Sequence, residues 1–98
     1  MGHTFDQSGD CLTVHVDGKL DITSSPALEE QLAPQLEGVG LLILDLARVD
    51  YVSSMGLRLL LALQKRMAKQ GAMRVANVNP QVMDLFEETG FSEILTIV

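Results

Sequence analysis

A chain of 98 residues fits one domain, residues 1–98, and leaves no room for a second. Its composition, 47% hydrophobic and 20% charged, is that of a globule, and with 4% aromatics and no Trp the core must be aliphatic. A net charge of −6 argues against nucleic acid, which needs clustered Lys and Arg, and against an anionic membrane surface.

One Cys cannot close an internal disulfide, so nothing points to an oxidising compartment. No apolar run reaches the roughly 18 residues of a membrane span. Met1-Gly2-His3-Thr4-Phe5-Asp6 is not a signal peptide, and Asp6 stands where a myristoylation signal needs Ser or Thr. A cytoplasmic protein without membrane insertion is expected.

In chain order, Phe5 to Ser8 suggests an edge strand, followed by a turn at Gly9-Asp10. Cys11 to Asp17 alternates and is β-branched, as a half-buried strand should be. Gly18-Lys19-Leu20-Asp21 closes the hairpin region. Ser24-Ser25-Pro26 reads as a serine cap with proline at the first helical position, opening a helix to about Leu36. Leu41 to Leu46 is a short apolar run, expected to be a central strand buried on both faces. A second helix is predicted from about Met55 to Gln70, ended by Gly71. Met73 to Val78 is a further strand. Asn79-Pro80 caps and starts a third helix ending near Thr89-Gly90. Phe91 to Val98 returns as a last strand or an extended tail. Strand–helix alternation after the first hairpin implies parallel crossovers. The expected architecture is α/β, a mixed sheet of four to five strands with about three helices mainly on one face.

Charge is uneven along the chain. Lys19 is the only basic residue up to Ala47, and the other six lie between Arg48 and Arg74. On the wheel of the second helix, Arg58, Lys65 and Lys69 fall on one line beside Ala62 and Arg66, opposite Leu60, Leu63 and Met67. The basic line predicts a solvated stripe, and the Leu–Met line should face the sheet. The same wheel puts Ser54 and Met55 on or beside the polar arc, with Ser54 four residues before Arg58. A helix start favours anions, so Ser54 is either a plain N-cap or a hydroxyl that can carry a phosphate. Met55 either packs locally or offers an adaptable contact. Asp21 reads as a turn residue after a strand.

Other candidates carry less. His15 alternates away from Val14 and Val16 and should simply be exposed, and Cys11 should be an ordinary strand residue. His3 lies near the terminus. One Cys and two scattered His give no metal-ligand spacing. Asp84, Glu87 and Glu88 read as a solvated helix face. No nucleophile elbow, Ser-His-Asp order or Walker-type run occurs, so no enzyme, catalytic residue or cofactor is expected.

Tyr51-Val52-Ser53-Ser54-Met55-Gly56-Leu57-Arg58-Leu59-Leu60-Leu61 resembles the signature of STAS domains, the family of bacterial anti-sigma-factor antagonists. Gly18-Lys19-Leu20-Asp21-Ile22-Thr23-Ser24-Ser25-Pro26 resembles the family's Gly-x-Leu-Asp loop. Leu44-Asp45-Leu46, four residues ahead of Asp50, is similar to its central strand. The resemblance spans nearly the whole chain and implies partner switching. In that family a serine before the second helix is phosphorylated by a serine-kinase anti-sigma factor. The unphosphorylated form binds the kinase and frees the sigma factor, and a PP2C-type phosphatase restores it. Carried over on Gly56, the phosphorylated serine is Ser54, with Ser53 as a minor alternative. Partner contacts fall on Asp21, Ser53, Met55, Gly56 and Arg58. Many members have Asp in place of Ser53, and Ser, Thr or Ala in place of Met55.

The resemblance thus implies a phosphorylation-controlled binding module acting on an anti-sigma kinase or a similar switch kinase. The alternative is an unphosphorylated accessory subunit of a lipid-transport or signalling complex. A monomer or a weak dimer is expected, the latter through an exposed Met55 and Leu61.

Overall fold

The computed structural model describes residues 3–98. Met1 and Gly2, which enter the reading of the N-terminus, lie outside the described residues. Four strands form one sheet in the order β1 (Thr4–Ser8), β2 (Cys11–Asp17), β3 (Leu41–Arg48), β4 (Ala72–Ala76). The first pair is antiparallel and turns through Gly9 at φ +63°, and the other two pairs are parallel. Three helices, α1 (Ser24–Leu32), α2 (Ser54–Gln70) and α3 (Pro80–Thr89), make the crossovers and the return. The tail adds one parallel bridge, Val75 to Ile97, instead of a full fifth strand.

One face of the sheet carries the core. Leu12, Val14 and Val16 of β2, Leu42, Leu44 and Leu46 of β3, and Met73 and Val75 of β4 are all buried. Leu59, Leu60, Leu63 and Met67 of α2 and Val82 and Phe86 of α3 cover them. The Leu–Met line of α2 therefore faces the sheet as its periodicity requires. Arg58, Lys65 and Lys69 are exposed.

Three expectations need correction. β3 is buried on one face only: Leu41, Ile43 and Asp45 are half-buried, because the helices lie on the other side. On that open face His15 is exposed but not idle, its Nδ1 lying 2.7 Å from Asp45 Oδ2. Asn77 Nδ2 and the Ala47 N–H both donate to Asp45 Oδ1 at 3.0 Å. The first α-helix stops at Leu32, and a 3-10 turn follows over Ala33–Gln35, because Pro34 has no N–H to continue the α pattern.

Side chains of α2 also donate to carbonyls of the segment after that break. Arg66 Nη1 donates to Ala33 O at 3.1 Å, and Gln70 Nε2 donates to Leu36 O and Val39 O at 2.6 and 2.8 Å. The Asn79 cap behaves as expected, with its side chain accepting the Val82 N–H at 2.9 Å and Gly90 closing α3 at φ +82°. No helix of the described residues is long and apolar enough to cross a membrane.

At its far end α2 meets β3 at Gly71, where an added Cβ would run into the Gly40 carbonyl. Backbone rather than a yielding side chain stands there. Gly71→Ala should therefore lower the unfolding free energy by about 1–3 kcal/mol, the usual range for overpacking. Urea denaturation with the m-value held constant measures it.

Candidate functional site

Parallel strands with crossovers on one side place every helix N-terminus at the carboxyl end of the sheet. The loops after β2 and β3 therefore emerge together. They are joined by backbone: Leu20 N–H donates to Tyr51 O at 3.0 Å, Ser53 N–H donates to Leu20 O at 2.8 Å, and Leu20 bridges Val52 in parallel. Lys19 Nζ lies 6.0 Å from the Tyr51 ring centroid, within cation–π range. Asp21 and Ser54, 33 positions apart, thus belong to one rigid surface.

Gly56 makes that closeness possible. It is buried, and an added Cβ would lie 2.7 Å from Leu20 O and 2.8 Å from Val52 Cγ1. Its contribution to the site is the approach of α2 to the loop, since it presents no side chain.

Asp21 caps the first helix, a role the sequence reading gave to the serines. Its Oδ1 accepts the N–H groups of Thr23 and Ser24 at 3.0 and 2.9 Å. Ser24 Oγ accepts the Asp21 N–H at 2.9 Å and donates to the Lys19 carbonyl. This is the reciprocal bonding of a capping box, with the acid first and the serine fourth, set just ahead of the boundary residue Thr23, whose own side chain caps nothing. Pro26 consequently sits inside the helix rather than at its first position. The Asp21-Ile22-Thr23-Ser24 spacing was the signal for it, hidden by the more familiar Ser-Pro start. The donors of Ser24 and then Thr23 hold the Asp21 carboxyl below its ordinary 3.8. What the cap contributes to stability is complete above that ordinary value. It is lost only as pH falls through the lower folded one. Among the described residues only Oδ1 is engaged, which leaves Oδ2 at the surface.

The two adjacent serines divide their labour. Ser53 is the N-cap of α2, extended at φ −84° and ψ 178°, and its hydroxyl accepts the Gly56 N–H at 3.3 Å. Ser54 is the first helical residue, exposed and not part of the cap. The first turn of α2 itself contains no acid, although Asp50, Asp84 and Glu88 line the groove beside it.

The other expected contacts spread around this point. Met55 is half-buried rather than exposed, with Arg58 Nη1 4.0 Å from its Sδ. Leu61 is likewise half-buried, which removes the exposed apolar pair suggested for self-association. Met55 and Arg58 line a cleft between α1 and α2 with Ser25 and Glu29. Ser54 lines a different groove, between α2 and α3. The wheel put Arg58 one turn from Ser54, but the fold turns it to the α1 side. Ile22, 73% exposed, stands on the Asp21 loop, an uncovered apolar side chain that alternation could not reveal in a loop. No group of His, Cys, Asp and Glu among the described residues is arranged to hold a metal.

This geometry matches known proteins. The STAS domain family model covers residues 4–98. BtrV of Bordetella bronchiseptica, provisionally named an anti-sigma factor antagonist, is 33% identical over 99% of this chain and 85% of its own length. The anti-sigma-B factor antagonist of Bacillus subtilis is 32% identical over 93% of this chain and 84% of its own. The solved anti-sigma factor antagonist SpoIIAA of Bacillus shares the fold at 16% identity. Its unphosphorylated form has a TM-score of 0.76, covering 99% of this chain and 87% of its own. Its phosphorylated form scores 0.75, covering 99% and 91%.

The serine pair generates a stability test. Ser53→Ala should cost about 1 kcal/mol, as loss of an N-cap does. Ser54→Ala should stay within about 0.5 kcal/mol of the parent, as exposed changes do. Thermal or urea unfolding of both variants checks this. A proton titration of the Asp21 carboxyl by NMR should give a midpoint below 3.8.

Proposed function

The chain belongs to the STAS domain family, and from that premise we propose that it is a partner-switching protein controlled by phosphorylation of Ser54. The unphosphorylated form binds a serine-kinase anti-sigma factor, or a similar switch kinase, and so releases the kinase's target. Phosphorylation of Ser54 abolishes that binding, and a PP2C-type phosphatase restores it. The protein is a binding module, not an enzyme, and acts in the cytoplasm. Ser53 is the minor site.

One observation carries this reading: Ser53 supplies the cap, so the Ser54 hydroxyl is exposed at the positive end of α2 and committed to nothing. A phosphate there adds nearly two charges and three acceptor oxygens. The helix end favours such a charge by about 0.3–1 kcal/mol, so the fold tolerates the modification. The effect then falls on the surface a partner meets. Asp21 and Ile22 lie beside it through the Leu20–Val52 bridge, and the SpoIIAA fold is known in both phosphorylation states. Asp21 and Ser53 adjoin the start of α2, Met55 and Arg58 lie in the cleft on the α1 side, and these four supply the partner contacts, with Gly56 holding the helix in place.

Incubation with the cognate kinase and ATP, followed by peptide mapping, should place phosphate on Ser54. Robust modification elsewhere with Ser54 untouched would sink the assignment. Ser54→Asp should weaken kinase binding by tenfold or more, an interface penalty of about 1.4 kcal/mol or greater. It should leave unfolding within about 1 kcal/mol of the parent. Ser54→Ala should bind without release by ATP. Recovery of transporter subunits instead of a kinase in a pull-down would favour the accessory-subunit role.

A further inference from the structure

The cleft between α1 and α2 is a concave feature apart from the groove of Ser54. It encloses about 230 Å³, less than the roughly 300–1,000 Å³ of pockets that hold drug-sized ligands. Two facing helix stripes build it. Ser25 and Glu29 lie one turn apart on α1, and Met55, Arg58, Leu59 and Ala62 follow one face of α2. Leu59 and Ala62 make an apolar wall between the charged residues.

Three polar groups here are left without a proper partner. Ser25 is 2% exposed, and its hydroxyl has no hydrogen-bond partner among the described residues. A buried hydroxyl left unpaired is costly, and Ala is the better helix former at such a position. Its neighbour Ser24 is also buried, but its hydroxyl accepts the Asp21 N–H and donates to the Lys19 carbonyl. Glu29 and Arg58 bring opposite charges to the two sides of the cleft and do not meet. Among the described residues the one ion pair within 4.0 Å is His15–Asp45, on the other face of the sheet. The Arg58 guanidinium has only the Met55 sulfur, 4.0 Å away.

We propose that this cleft binds a small aliphatic α-amino acid in its zwitterionic form. The ligand carboxylate would lie on the Arg58 guanidinium, whose planar fork matches it. The ammonium would donate to Glu29 and to the Ser25 hydroxyl one turn away. The side chain would cover Leu59 and Ala62, with Met55, unbranched and adaptable, yielding to admit it. A plain anion would face Glu29 and a plain cation would face Arg58. A ligand carrying both charges leaves neither residue unpaired, and the small volume limits its side chain to a few carbons. Ser54 takes no part in this site, so the inference stands apart from the phosphoswitch.

Three small probes provide the test: L-valine, isovalerate, which lacks the ammonium, and isobutylamine, which lacks the carboxylate. Each is titrated into the isotopically labelled full chain and followed by amide NMR. L-Valine should shift Ser25, Glu29, Met55, Arg58 and Ala62 to saturation and bind roughly tenfold tighter than either singly charged probe. Arg58→Gln should abolish its advantage over isobutylamine, and Glu29→Gln its advantage over isovalerate. Both changes fall on exposed residues and should fold, which their amide spectra verify. Ser25→Ala should weaken L-valine binding while keeping the native spectrum. Absence of saturable shifts with L-valine, shifts confined elsewhere, equal binding of the three probes, or unchanged binding in both charge variants would overturn the proposal. So would tighter binding of isobutylamine than of L-valine, which would assign the cleft to a cationic side chain of a partner. Phosphate mapping on Ser54 needs none of these probes, so failure of this site and failure of the phosphoswitch are read separately.

Discussion

The surface around Ser54 depends on the parallel bridge between Leu20 and Val52. Two backbone hydrogen bonds at 2.8 and 3.0 Å tie the loop after β2 to the loop after β3. They turn two unrelated stretches of chain into one platform. The bridge requires α2 to start almost in contact with Leu20, and only a residue without Cβ allows that, which is the work of Gly56. Under the proposed switch, partner contact at Asp21 and modification at Ser54 would report to the same bound molecule without any change of fold.

The helix N-termini explain why this platform suits a charge switch. Each of the three begins at the carboxyl end of a strand, and each is capped, by Asp21, Ser53 and Asn79 in turn. The caps satisfy backbone donors but leave α2 with no acid in its first turn. The end of that helix can accept an anion, and a serine there is well placed to change what a partner would meet without disturbing the core beneath.

Arg58 shows how a local argument can be right about geometry and miss direction. Four residues is one turn, so Arg58 does follow Ser54 along α2. But α1 packs on that side, and Arg58 turns into the cleft with Met55 and Glu29. The helix end, rather than a neighbouring guanidinium, is what would accommodate the proposed phosphate on Ser54.

Much of this was legible in the sequence, because the signals were local. Periodicity placed the strands and the buried line of α2, turn residues placed the boundaries, and Asn79-Pro80 announced its own cap. The paired motifs pointed to Ser54 and Asp21. Tertiary structure alone decided which neighbouring serine caps α2, since that rests on a hydroxyl reaching the Gly56 N–H. It also decided that Asp21 caps α1, that β3 is covered on one face, and that Leu57 of α2 and Leu85 of α3 share a groove with Ser54. Those outcomes depend on how separate elements approach one another, and that approach is set by close backbone contacts at Gly56 and Gly71 which no residue pattern encodes.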